Sequence, residues 1–152
     1  PRPYRIKMGK TGTDIFCAVP VLVAFIALYI NGADYFVLGL LGMMTGPLAY
    51  IVFKRHYGGL YVNNPEKYPI NVKTGLAVGD TKRIAFAFAL LGALMIIGRL
   101  FLPGYENHEA YDSVYGVAGI FDIFMVMLTA AAVICAALAL IFIIMYRRYE
   151  SE

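Results

Sequence analysis

Two opposite charges lie inside long apolar segments of this chain, and their residue types suit an ion pair or a path for ions. Arg99 lies four residues before Pro103, and Asp122 lies near the start of the last apolar segment. Charged side chains inside membrane spans are costly, so they face a partner charge, a bundle interior or a water-filled path. The two segments run antiparallel across a short connection. We therefore expect an intramembrane ion pair between Arg99 and Asp122 at similar depth.

Three roles are open for this pair. They are a structural clasp between two helices, snorkelling of each side chain to the nearby interface, and an ion or proton path. The clasp is favoured, because no second acidic residue or histidine lies deeper in any span to continue a relay. A channel built by oligomerisation would have to use a few scattered polar side chains, namely Asn31, Thr45 and Thr129.

A short polar stretch holds the best candidates for metal ligands. Glu106, His108, Glu109 and Asp112 fall within seven residues, but they lack the spacing that metal sites show. We expect a solvated acidic loop there, which could also complement a basic patch on a partner. No metal, cofactor or catalytic residue is predicted.

Two further patterns have structural interpretations. Cys17 and Cys135 lie at different depths in separate spans, so we expect small buried hydrophobic side chains rather than a disulfide. Residues 74–83 contain glycines, a threonine and a lysine but lack the order of a phosphate loop. Asp80 or Thr81 is instead expected to cap the helix that follows.

Four apolar segments must position these residues. The chain is 61% hydrophobic and 15% charged, which is typical of membrane proteins. A helix needs roughly 20 apolar residues to span a bilayer. We predict an all-α integral membrane protein, a single domain over 1–152 that forms an antiparallel bundle of four transmembrane helices at about 15–33, 35–53, 84–102 and 119–146.

The basic residues indicate the orientation of the bundle. Of the 13 lysines and arginines, all except Arg99 lie near the chain ends or in the connection 54–83. The positive-inside rule therefore predicts that both termini and the loop 54–83 are cytoplasmic and that the loop 103–118 is extracytoplasmic. This rule explains the net charge of +3 without a nucleic-acid partner. A bacterial cytoplasmic membrane is favoured, with an organellar inner membrane as the alternative.

Small residues recur at helical spacing within the spans. Such stripes let helix backbones approach closely in lipid. They predict packing faces that either hold the bundle together or dock another subunit, and they consist of Gly39, Gly42 and Gly46, then Ala85 and Gly92, then Ala132 and Ala136.

The favoured function is a non-catalytic integral membrane subunit that packs against and organises a larger membrane protein complex. Its expected partners are the lipid bilayer and other membrane subunits. A small homo-oligomeric transporter or channel is the alternative, in which Arg99 and Asp122 would gate or line the path. A membrane-embedded enzyme is third, because no nucleophile and base can be paired.

Overall fold

The described residues of the computed structural model are 10–58, 66, 70, 71 and 74–150. They form five helices joined by turns. In chain order these are α1 (Lys10–Ile30), α2 (Ala33–Tyr57), α3 (Val78–Tyr105), α4 (His108–Tyr115) and α5 (Ile120–Glu150).

Three helices in the described part of the chain, α2, α3 and α5, are long and apolar enough to cross a membrane. In α1 the apolar stretch found among the described residues is Ala18–Ile30, which is shorter than the roughly 20 residues of a span. Large apolar side chains are exposed along all four of these helices, which is typical of a surface that faces lipid. The described part of the chain is thus helices and turns, with three helices long enough to cross a membrane and a shorter one, as in a helical membrane protein. The four full spans that the sequence predicts stay a prediction.

Helices α3 and α5 pack along their length and form the centre of the molecule. Six of the residues that α3 buries are spaced alternately four and three apart: Ile84, Phe88, Leu91, Met95, Gly98 and Leu102. The buried residues of α5 follow similar steps: Phe124, Leu128, Ala131, Cys135, Ala139 and Phe142. This spacing keeps one stripe of each helix facing the other. In lipid, the stability of such a contact comes mainly from close packing.

Contacts at the two ends show that neighbouring long helices are antiparallel. The Lys82 ammonium lies 5.7 Å from the ring centroid of Tyr146, which joins the start of α3 to the end of α5. We call this the basic end; it carries Lys54, Arg55, Lys82, Arg83, Arg147 and Arg148. The opposite, acidic end carries Asp34, Glu106, Glu109, Asp112 and Asp122.

Helix α1 is held by the C-terminal third of its length. Phe25 and Tyr29 meet the ring of Phe36 on α2 edge to face, at centroid distances of 5.5 and 5.7 Å. Leu28 lies against Gly39, where a Cβ would come within 2.8 Å of it. The apolar side chains described before Phe25 are exposed. Helix α1 therefore adds little to the core formed by the other three.

The structure differs from the expected acidic loop at 103–118, because that connection contains α4. Glu109 and Ser113 are exposed, while Tyr111 packs on Phe121 and Phe124 of α5, at centroid distances of 5.6 and 6.3 Å. Gly116 ends the helix in the left-handed conformation, which glycine adopts without strain. An amphipathic helix of eight residues has too few apolar positions to be distinguished from a polar loop by composition.

Candidate functional site

A polar network around the buried Asp80 carboxylate joins α2 and α3 at the basic end. The Tyr50 hydroxyl donates to Asp80 Oδ1 at 2.7 Å. The Lys54 ammonium lies 3.3 Å from Asp80 Oδ2, in a salt bridge whose side chains are 11% and 5% exposed. The Ala77 amide donates to the same Oδ2 at 3.0 Å. Asp80 therefore has three donors, two of which come from the neighbouring helix.

Local sequence positions these groups. Asp80 is the third residue of α3, where a carboxylate can accept the amide of the residue that precedes the helix. This is the capping interaction expected from the sequence; the Thr81 hydroxyl instead donates to the Val78 carbonyl. Tyr50 and Lys54 lie one turn apart near the end of α2, so both side chains project from the same face.

A groove runs beside this network between α2 and α3. It has a volume of about 310 Å³ and is lined by Gly46, Pro47, Tyr50, Arg83, Ile84 and Ala87. Its wall is largely apolar, and Arg83 and Tyr50 both line it. Tyr50, Lys54 and Arg83 were not selected from the sequence. The sequence shows that Tyr50 and Lys54 are four residues apart on α2 and that Asp80 and Arg83 are three apart on α3. It does not show that these two pairs of residues lie at the same level of the two helices.

Arg99 and Asp122 line a second groove, between α3 and α5 near the acidic end. The groove has a volume of about 390 Å³ and is completed by Met125, Val126, Thr129 and Ala130. Both charged side chains are exposed, and no salt bridge joins them within the described residues. The structure thus brings the two charges to one surface without pairing them, and the predicted ion pair stays a prediction.

The polar side chains considered as channel lining are bound within their own helices. The Thr45 hydroxyl donates to the Gly42 carbonyl at 2.6 Å, and the Thr129 hydroxyl donates to the Met125 carbonyl at 2.8 Å. Asn31 donates from its amide to Ala27, also at 2.6 Å. Such bonds satisfy a polar side chain on a helix surface without another helix or water.

Several of the selected small residues lie in helix contacts. Ala85 and Ala132 are buried in the core. Gly92 faces the backbone of α5, where an added Cβ would lie 3.3 Å from Cys135 Cβ and 3.9 Å from the Ala136 nitrogen. Gly98, which the sequence analysis did not select, is in closer contact: a Cβ there would overlap the ring of Phe36.

The rest of the α2 stripe faces outward. A Cβ at Gly42 or Gly46 would meet no described atom within 4 Å. Ala49 is exposed on the same side of the helix. We call Gly42, Gly46 and Ala49 the small-residue face. Unlike Gly39, which lies against Leu28, these residues have no helix of the described chain packed on them.

The acidic end is held together by the two tyrosines of α4. The Tyr111 hydroxyl accepts the Ala33 amide at 2.8 Å and donates to Glu106 at 3.0 Å. The Tyr115 hydroxyl donates to Asp34 at 2.6 Å. These contacts fix α4 over the start of α2, at the turn where Gly32 has a φ of 115° that other residues rarely adopt.

Hydrogen bonding and burial raise the pKa values of Tyr111 and Tyr115. Burial, with the neighbouring Glu106 carboxylate, raises the pKa of Tyr111 to about 12. The hydrogen bond to Asp34 raises the pKa of Tyr115. Both hydroxyls therefore remain protonated donors at neutral pH.

The residues weighed as metal ligands have separate roles. The Asp112 carboxylate accepts the amides of Gly119 and Ile120 at 3.0 and 3.2 Å and so caps α5. The His108 ring stacks on Phe121 at 4.0 Å. Among the described residues, no three such side chains meet as a metal site would require. Cys135 is a buried free thiol, whereas the Cys17 side chain lies outside the described residues.

The fold and these sites define a helical membrane protein in which a polar network and an outward-facing stripe of small residues lie on the same helix. No family model matches the chain, and neither the curated proteins nor the solved structures that were compared include a similar one.

Proposed function

We propose that the chain is a non-catalytic integral membrane subunit that packs against and organises a larger membrane protein complex. The observation that carries this proposal is the small-residue face of α2. A glycine in a helix interior costs about 1 kcal/mol relative to alanine. Gly42 and Gly46 recover none of that cost within the described chain, because nothing packs on them.

A second helix would make these glycines useful. Two helices that meet at small residues approach closely, and close packing is a main source of association in lipid. Gly39, Gly92 and Gly98 show this use inside the protein, where each receives a side chain or backbone of a neighbouring helix. The small-residue face offers the same kind of surface to a partner.

We further propose that all four long helices span the membrane, with the basic end in the cytoplasm. Helix α1 has 21 residues and is therefore about 30 Å long, the thickness of the hydrocarbon core. The lysines and arginines of the basic end support this orientation under the positive-inside rule. A bacterial cytoplasmic membrane is our preferred location.

A homo-oligomeric transporter or channel is the second candidate, supported by the groove that Arg99 and Asp122 share. Charges exposed on a membrane helix are costly, and a second copy of the chain could pair them. In that arrangement the arginine of one copy would meet the aspartate of the other. The intramembrane ion pair would then form between copies rather than within one.

Photo-crosslinking from the small-residue face separates the two candidates. A crosslinking amino acid replaces Ala49 and, as the control, the exposed Ala93 of α3. Irradiation of native membranes should join position 49 to a different protein at high yield, with little product from position 93. Equal yields at both positions would contradict the docking face. A product of twice the chain mass, together with ion conduction by the purified protein in liposomes, would favour the homo-oligomeric channel.

A further inference from the structure

The groove between α2 and α3 combines a cationic mouth with an apolar wall, at the level where helices enter the lipid. We propose that it binds an anionic phospholipid, with the phosphate on Arg83 and an acyl chain along Gly46, Pro47 and Ala87. This inference does not rest on the subunit function, although Gly46 borders both the groove and the small-residue face.

We call the end of the groove at Arg83 and Tyr50 its mouth, and the positive charge there comes from Arg83. The Asp80 carboxylate is already neutralised by Lys54 at 3.3 Å and accepts the Tyr50 hydroxyl at 2.7 Å. The Arg83 side chain is exposed and lines the groove together with Tyr50. A guanidinium can hold two phosphate oxygens at once.

The wall below the mouth suits a hydrocarbon chain. Gly46 and Ala87 are small, and Pro47 and Ile84 complete an apolar surface in a groove of about 310 Å³. The groove is open between α2 and α3, so its apolar wall is accessible to a hydrocarbon chain. The Tyr50 ring separates this wall from the polar network.

The depth of the groove matches a lipid headgroup. Helix α3 has 28 residues and is about 42 Å long, which equals the hydrocarbon core together with both headgroup layers. Arg83 is five residues from the start of the helix, or about 7 Å along it. That distance places the guanidinium near the phosphates of the adjacent leaflet. Basic pockets between helices at this level are known to bind anionic lipid headgroups.

Native mass spectrometry of the full chain in mild detergent tests the proposal. The protein is incubated with equal amounts of phosphatidylglycerol and phosphatidylcholine that carry identical acyl chains. The wild type should show one saturable adduct, with phosphatidylglycerol preferred about fivefold, the effect of one basic residue near a membrane surface. Arg83→Gln should lose this preference. Lys82→Gln, which removes an adjacent charge that lies over Tyr146, should keep it.

Three results of this experiment would contradict the proposed phospholipid site. If Arg83→Gln and Lys82→Gln lost the preference for phosphatidylglycerol equally, the preference would come from the general positive charge of this end. If the wild type bound both lipids equally, it would have no site that selects the headgroup. Displacement of the adduct by inorganic phosphate at equal concentration would identify a free-anion site instead. Ala87→Leu leaves every charge in place but narrows the groove, so it should weaken binding of both lipids. This second variant tests the site if Arg83→Gln does not fold.

Discussion

Asp80 holds donors from two helices, which makes it the residue that ties the second half of α2 to α3. Asp80→Ala would leave the Lys54 ammonium, whose side chain is 11% exposed, without its carboxylate. We expect a loss of about 3 kcal/mol in the free energy of unfolding, measured by thermal unfolding in mild detergent. Asp80→Asn keeps one oxygen for the Ala77 amide, and its NH2 group can donate to the Tyr50 hydroxyl oxygen, so it should lose less.

A double variant separates the contribution of the Lys54–Asp80 salt bridge from that of the Asp80 helix cap. Adding Lys54→Met to Asp80→Ala removes the unpaired ammonium and should recover part of the lost stability. A double variant no more stable than Asp80→Ala alone would show that the salt bridge is not the cause.

Gly98 provides a test of close packing at a single position. A Cβ there would overlap the ring of Phe36, which is fully buried, so Gly98→Ala should lower stability by about 1 to 3 kcal/mol. Gly104 lies on the same helix with nothing within 4 Å of an added Cβ. Gly104→Ala should therefore be neutral or slightly stabilising. If Gly98→Ala and Gly104→Ala changed the thermal stability equally, the contact of Gly98 with Phe36 would be contradicted.

Tyr111 predicts an alkaline transition at the acidic end. Its pKa is about 12 in the folded protein against 10.0 for the free side chain. The unfolded state therefore loses the proton first, so the stability that Tyr111 contributes is complete below pH 10 and is lost as the pH rises towards about 12. Thermal unfolding across this range should show the decline in the wild type.

Two tyrosine variants test whether Tyr111 causes this loss of stability at high pH. Tyr111→Phe should lower stability at neutral pH by about 1 kcal/mol, because the Ala33 amide loses its acceptor, and should remove the alkaline step. Tyr115→Phe leaves the Tyr111 contacts in place and should keep the step. An unchanged step in Tyr111→Phe would assign the titration to another group.

Sequence predicted the residue-level contacts that are local and missed those that are not. The Asp80 cap follows from its position within one helical turn, so spacing alone indicates it. The partners Tyr50 and Lys54 lie about 30 residues earlier and depend on the register of two helices. Gly98 was overlooked for the same reason, since its neighbour Phe36 lies on another helix.

At the scale of the elements, α1 is the least anchored of the long helices. Phe25 packs on Phe36, whereas Phe16 is 67% exposed. Phe25→Ala should speed hydrogen exchange of the α1 amides, measured by mass spectrometry, while those of α3 and α5 stay protected. Phe16→Ala is the matched control and should leave exchange unchanged. Equal exchange of α1 in the two variants would contradict this mode of attachment.

Apolar length predicted the long helices, because a run of about 20 apolar residues has few other interpretations. The structure extends α3 from Val78 to Tyr105, beyond the predicted 84–102, since capped polar turns add to both ends. Among the described residues, the apolar stretch found in α1 is Ala18–Ile30, so its status as a span stays a proposal. Helix α4 was missed because its packing depends on Phe121 and Phe124, which belong to another element.

At the scale of the whole molecule, the surface of α2 divides into an inward and an outward side. Ala33, Phe36, Val37 and Leu40 are fully buried in the first half of the helix. Farther along, Gly42, Gly46 and Ala49 face away from the described helices. Sequence identified the stripe of small residues but left open whether it packs inside the bundle or outside it. The structure separates Gly39, which is packed internally, from Gly42 and Gly46.

The most direct test of the proposed subunit function is native purification in mild detergent of the wild type, Gly42→Leu and Ala93→Leu. Each variant adds one leucine to an exposed helix position, and neither is expected to disturb the core. The wild type and Ala93→Leu should co-purify with other membrane chains at fixed stoichiometry, whereas Gly42→Leu should be recovered folded but alone. Recovery of all three without partners, or with the same partners in the same ratio, would contradict docking through the small-residue face.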